Sequence, residues 1–125
     1  METRDLTDSE WKVMECLWEK APQTAMDLVH QLENSAGWAK STTMTMVRRM
    51  EHKGLISAQA EGRTKWYRPC VQRQDAVQKE TRSFLHKVYQ GSLGLMVHSM
   101  VEQQALSQIE LDELYQILKQ AEEKK

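Results

Sequence analysis

The side chains with the most capacity for recognition chemistry fall within one stretch, GWAKSTTMTMVRRMEHKGL, residues 37–55. Ser41, Thr45, Arg48 and His52 recur at helical spacing, flanked by Met44 and Arg49. Hydroxyls on short side chains let a helix come close to phosphates and base edges. Arginine pairs with guanine in fork geometry or clamps a phosphate. Met44 offers an apolar contact to a thymine methyl. The opposite stripe, Thr43, Met46, Val47 and Met50, falls at i, i+3, i+4 and i+7 and needs a core to bury it. A second basic group, Gly62-Arg63-Thr64-Lys65, lies just downstream.

Charge distribution supports the same chemistry. The net charge of the 125-residue chain is only −1. Residues 1–39 nevertheless hold three Lys/Arg against eight Asp/Glu, whereas residues 40–68 hold seven against two. A basic block inside a neutral chain is the electrostatic footprint of nucleic-acid contact. A solvated charged face is the plainer explanation, and charge alone does not separate the two.

Other chemistries find little support. There is no Gly-rich phosphate loop, no nucleophile–base order and no metal cluster, so an enzyme is not expected. Cys16 and Cys70 lack Cys-x-x-Cys spacing, which argues against a disulfide framework or thiolate metal site. Histidines 30, 52, 86 and 98 show no pair at ligand spacing, and no cofactor is implied. The first ten residues are polar and acidic, and no apolar run approaches the ~18 residues of a membrane span. The expected location is cytoplasmic.

The elements that must position these residues can be read from caps and periodicity. Thr7 with Glu10 forms a capping box ahead of Trp11, Met14, Leu17 and Trp18, and Ala21-Pro22 ends that helix. A second helix is expected over 24–32, with Ala25, Leu28, Val29 and Leu32 on one face and a break at Asn34-Ser35-Ala36-Gly37. The quoted stretch is the third, stopped by Gly54. Residues 55–60 and 64–68 then read as two strands about a Glu61-Gly62-Arg63 turn, ending at Pro69. A lone hairpin is unstable, so it must lie on the helices. From Arg73 onward the pattern is helical, with breaks near Gly91 and at the Ser107/Glu110 capping box.

Three helices followed by a hairpin define a winged helix-turn-helix, in which the third helix enters the DNA major groove. The expected fold is mainly α with a small β-hairpin. A winged-helix domain over 1–70 precedes helical dimerisation elements over 71–125. Apolar positions in the second part, Phe84, Leu85, Val88, Leu95, Met96, Met100, Leu111, Leu114 and Leu118, lack an obvious internal partner and are assigned to a homodimer interface. A fold-back onto the first domain is the competing arrangement.

The segments LTDSEWKVMECLWEKAPQTAMDLVHQLE and GWAKSTTMTMVRRMEHKGLI resemble the bacterial penicillinase-repressor family, which includes β-lactamase, methicillin-resistance and copper-responsive repressors. EGRTKWYRPCVQRQDAVQKETRSFL and LSQIELDELYQIL extend the resemblance over nearly the whole chain. It implies a homodimeric repressor of double-stranded operator DNA. Positions Ser41, Thr42, Met44, Thr45 and Arg49 would face DNA, with Arg63 and Lys65 of the wing on phosphates. Lys40 and Arg48 join them from the charge and helical-face reading. Half-sites are expected about one or two helical turns apart, ~10 or ~20 bp.

Departures from the family pattern carry information. Trp38-Ala39-Lys40 lacks the serine cap common at the start of helix three, and Ser41 is the expected substitute. Met44 replaces a frequent Arg or Lys, which implies an altered operator. The copper-responsive branch ends in Cys-x-Cys, absent from AEEKK here. Cleavage in the antibiotic-responsive branch aligns with the Ser99–Met100 bond, so an inactivating protease or a metal ion stays open as the releasing signal. A winged-helix protein-interaction module that binds no DNA is the alternative function.

Overall fold

A computed structural model describes residues 5–125. The order is α1 (Asp8–Glu19), α2 (Ala25–Ala36), α3 (Lys40–Lys53), β1 (Ile56–Glu61), β2 (Thr64–Pro69), α4 (Arg73–Tyr89), α5 (Leu93–Glu102) and α6 (Gln108–Glu123). The chain forms two compact units, one extending to Thr81 and one comprising Arg82–Lys125.

Local sequence explains the boundaries in the first unit. Thr7 Oγ1 accepts from the Glu10 N–H at 3.1 Å, while Glu10 Oε1 accepts from the Thr7 N–H at 2.9 Å. Thr24 and Asp27 repeat this reciprocal box at the start of α2. α2 runs through Asn34 and Ser35 to Ala36, past the expected break. Its terminator is Gly37, at φ 68°, a left-handed conformation that costs glycine little. Gly54, at φ 82°, ends α3 the same way.

The apolar faces converge on one core. Val13, Met14 and Leu17 of α1 meet Leu28 and Leu32 of α2, and Val47 and Met50 of α3, all essentially inaccessible to water. Burying each such side chain contributes roughly 1.5–3 kcal/mol. The antiparallel register pairs Ala58 with Tyr67 and Ile56 with Pro69, so alternate residues turn Ile56 and Tyr67 into that core. The hairpin has a third partner. Gln23 and Tyr67 exchange both backbone hydrogen bonds, at 3.1 and 2.7 Å, tying the α1–α2 connection to β2. Beyond the wing, Val71 and the buried Ala76 also pack on the core. Trp18 Nε1 donates to the Val71 carbonyl at 2.8 Å, and Arg73 pairs with Glu15 at 3.3 Å.

The second unit is helical and thinly packed. Neither α5 nor α6 buries a single residue. Phe84 and Tyr89 make an edge contact with ring centroids 6.0 Å apart. Ser92 caps α5, and the Ser107/Glu110 box opens α6 as expected.

Candidate nucleic-acid interface

α3 is amphipathic in the sense its sequence requires. Thr43, Val47 and Met50 are buried, and Met46 packs against the core edge. On the other side Lys40, Ser41, Thr42, Arg48 and Arg49 are exposed, while Met44 and Thr45 are half-buried. Thr45 lies one turn from both Ser41 and Arg49, which gives a continuous polar strip with Arg48 beside it. Met44 is on the flank of this strip, toward Glu51 at i+7.

The start of α3 differs from the sequence expectation. Its N-cap is Ala39, with no side-chain cap, and Ser41 lies inside the first turn without taking over that role. A serine two residues into the helix has already adopted helical geometry, and its hydroxyl does not reach back to the orphan N–H groups. No acidic residue occupies the first turn either. Uncapped N–H groups beside Lys40 form a terminus that favours an anion.

The basic block divides into cations held by the protein and cations turned outward. Lys53 Nζ is 2.7 Å from Glu10 Oε2, so this lysine joins the end of α3 to the start of α1. Burial pushes the Glu10 carboxyl up, but hydrogen bonds and charge from Lys53 and Thr7 more than offset that and hold it below the usual carboxylate range. Lys65 Nζ is 3.8 Å from Glu51 Oε2, linking wing to helix. Arg63 is exposed at the tip of the hairpin.

Two functional supports escaped the sequence reading. Gln23 is buried, and its Nε2 donates to the carbonyls of Cys16 at 2.8 Å and Lys20 at 2.7 Å, closing the end of α1. Its Oε1 accepts from Gln31 Nε2. A glutamine after Ala21-Pro22 carries no periodic signal for this. Glu51 reads in sequence only as a charge, since its partner Lys65 becomes a neighbour only through the wing.

The positions assigned to dimerisation sit in α4, α5 and α6. Phe84, Val88, Leu95 and Leu118 are exposed, and Leu85, Met96, Met100, Leu111 and Leu114 are half-buried. Ile109 and Tyr115 are each 72% exposed. Ser99 and Met100 lie within α5, both half-buried. Among the described residues, no group of three or more His, Cys, Asp or Glu side chains is placed to hold a metal, and no helix is long and apolar enough to cross a membrane.

Three helices, a wing paired to the α1–α2 connection and a separate helical unit define a winged helix-turn-helix protein with a C-terminal helical extension. The chain belongs to the penicillinase repressor family, whose model matches residues 6–120. It is 32% identical to the penicillinase repressor of Bacillus licheniformis, over 96% of this chain and 94% of that protein. It is 30% identical to the methicillin resistance regulatory protein MecI of Staphylococcus aureus strain N315, over 93% and 94%. The solution structure of Bacillus licheniformis BlaI, in monomeric form with the blaP half-operator, matches 60% of this chain and 93% of its own. The TM-score is 0.54 at 26% identity. The solution structure of the BlaI DNA-binding domain matches with a TM-score of 0.53.

Proposed function

We propose that this protein is a homodimeric transcriptional repressor that binds a palindromic operator in double-stranded DNA through α3 and the wing. One observation carries the reading. The outward face of α3 joins hydroxyls and arginines on a helix whose opposite face is locked into the core, and Arg63 extends the same charge sign to the hairpin tip. A rigid helix with short polar side chains on its free face suits major-groove entry. Lys40, Ser41 and Thr42 sit at its uncapped start to take phosphate. Met44 and Thr45 stand where base edges pass. Arg48 and Arg49 serve guanine or phosphate, and Arg63 and Lys65 the flanking backbone.

Dimerisation rests on the second unit. Leucine, isoleucine, tyrosine and phenylalanine exposed on three short helices leave a surface that a two-fold partner buries. Repression then follows from occupying promoter DNA against polymerase. Should release proceed by cutting Ser99–Met100, α5 must unwind locally first, because that bond lies within a hydrogen-bonded helix.

The test is fluorescence anisotropy with the full chain, against labelled duplex from upstream of its own coding sequence and against scrambled duplex, with sedimentation to fix oligomeric state. A dimer that prefers the upstream duplex is expected. Among the alternatives, a monomer at micromolar concentration that ignores both duplexes in low salt would refute the reading. Copper or zinc that shifts the affinity stoichiometrically would establish a metal as the releasing signal.

A further inference from the structure

The wing is not free to meet DNA on its own terms. Lys65 pairs in register with Ala60 and shares the hairpin face of Ile56 and Tyr67, which turns it toward α3. There it meets Glu51, at 3.8 Å. That separation is beyond hydrogen-bond reach, so the two charges attract without being fixed to each other. Both remain solvated, with Lys65 59% and Glu51 36% exposed. An ion pair of this kind is readily exchanged for another partner.

We infer that Glu51 is a positioning residue which sets how strongly the wing grips phosphate, by holding the Lys65 ammonium against α3 until a phosphate displaces it. This rests on the proposed DNA-binding reading. The pairing has one consequence. Lys65 delivers less than a full free cation to the duplex, since part of its attraction is already satisfied. The effect belongs to every sequence alike, because phosphates carry no base information. Glu51 is therefore a brake on general affinity rather than a reader of the operator.

The experiment measures anisotropy Kd values across a salt series for the full-length wild type, Glu51→Gln, Lys65→Gln and the double variant, on random and upstream duplexes. Glutamine keeps the size of Glu51 and removes its charge. Glu51→Gln should bind both duplexes more tightly, about threefold per wing and so about tenfold for a dimer. The slope of log K against log salt should steepen by about one unit per wing. In the Lys65→Gln background the Glu51→Gln substitution should change neither quantity, a readout that a merely structural role would not produce. Unchanged or weaker binding by Glu51→Gln would overturn the inference. So would an effect that persists without Lys65, since Glu51 would then act by direct repulsion of phosphate. A wild type that binds neither duplex would instead refute the proposed function itself.

Discussion

Replacing Lys53 by methionine tests the electrostatic joint between α1 and α3. Glu10 is only 3% exposed, and its carboxylate takes the Thr7 N–H and the Lys53 ammonium as partners. Each charge also sits at the helix end that favours it, Glu10 in the first turn of α1 and Lys53 in the last turn of α3. Methionine keeps much of the lysine stem and deletes the charge. Stranding one partner of a fully buried pair costs about 3–5 kcal/mol. Lys53 is 47% exposed, so water already carries part of its solvation. The expected loss is therefore smaller, about 2 kcal/mol. In a unit of this size that lowers the melting midpoint by about 10 °C. All four tryptophans, Trp11, Trp18, Trp38 and Trp66, lie in the first unit, so their fluorescence reports its unfolding separately.

The pH dependence distinguishes lost charge from lost packing. In the wild type the folded pKa of Glu10 is lowered, so its stabilisation is present above the unfolded pKa and is lost as pH falls through the folded value. In Lys53→Met the main opposition to burial is gone, so the carboxyl moves up from its wild-type position, with the Thr7 hydrogen bonds still opposing. Its penalty is then greatest near neutrality and is relieved as it takes up a proton. The stability gap between the two proteins should accordingly be wider at about pH 7 than at about pH 4, closing as the carboxyl takes up its proton. Denaturant titrations at both pH values, at one protein concentration, measure it. A gap of equal size at both would mean that methionine failed in packing and that the ion pair contributes nothing.

Three further outcomes follow from the site. Arg63→Ala/Lys65→Ala removes two Arg63 phosphate contacts and two lysines already paired with Glu51 from a dimer, so the salt slope should flatten by about 2 units, with equal losses on all duplexes. A loss confined to one base pair in the anisotropy series would make the wing a sequence reader. Thr45→Ala or Met44→Ala should shift base preference by about 1–3 kcal/mol in a randomised-operator selection while leaving the salt slope alone. An unaltered selection would count against α3 as the reader. Gln23→Ala should cost about 2 kcal/mol in thermal unfolding by taking the side-chain donor from the Lys20 carbonyl and leaving the Cys16 carbonyl only the Lys20 N–H. Gln23→Glu should not restore it, because a carboxylate cannot donate to a carbonyl.

The winged-helix plan was legible because its signals are local. Thr7 with Glu10, Gly54, and the i, i+3, i+4 stripes fix helices whatever the rest of the chain does, and all reappear in the structure. Sequence and structure differ where the deciding partner is remote or the terminator is not the first polar cluster. Asn34 and Ser35 tolerate helix, so α2 continues until Gly37 supplies the left-handed turn. Gln23 reads as a loop residue because its backbone partner, Tyr67, is 44 positions away. Likewise the division of basic residues between inward ties and outward groups cannot be seen in a count. Lys53 and Lys65 look alike in sequence, yet one faces a buried carboxylate and the other a half-exposed one.

Two local rules are broken on α3. α1, α2 and α6 all open with reciprocal capping boxes, yet α3 opens on an alanine. Thr43, on the buried face of the same helix, has a hydroxyl without a hydrogen-bond partner, a buried polar atom that ordinarily costs stability. Natural sequences tend to break consistency at working sites and compensate elsewhere. Compensation is visible here: Val47 and Met50 anchor the middle of α3, Gly54 closes its end, and Lys53 ties its last turn to α1. The helix is thus held from its core side and its C-terminus, while its N-terminal turn has no side-chain cap and only the Ala39 carbonyl takes the Thr42 and Thr43 N–H groups. An anion meeting that turn would supply the hydrogen-bond partner that a side-chain cap otherwise gives, so the missing cap agrees with the proposed contact with phosphate.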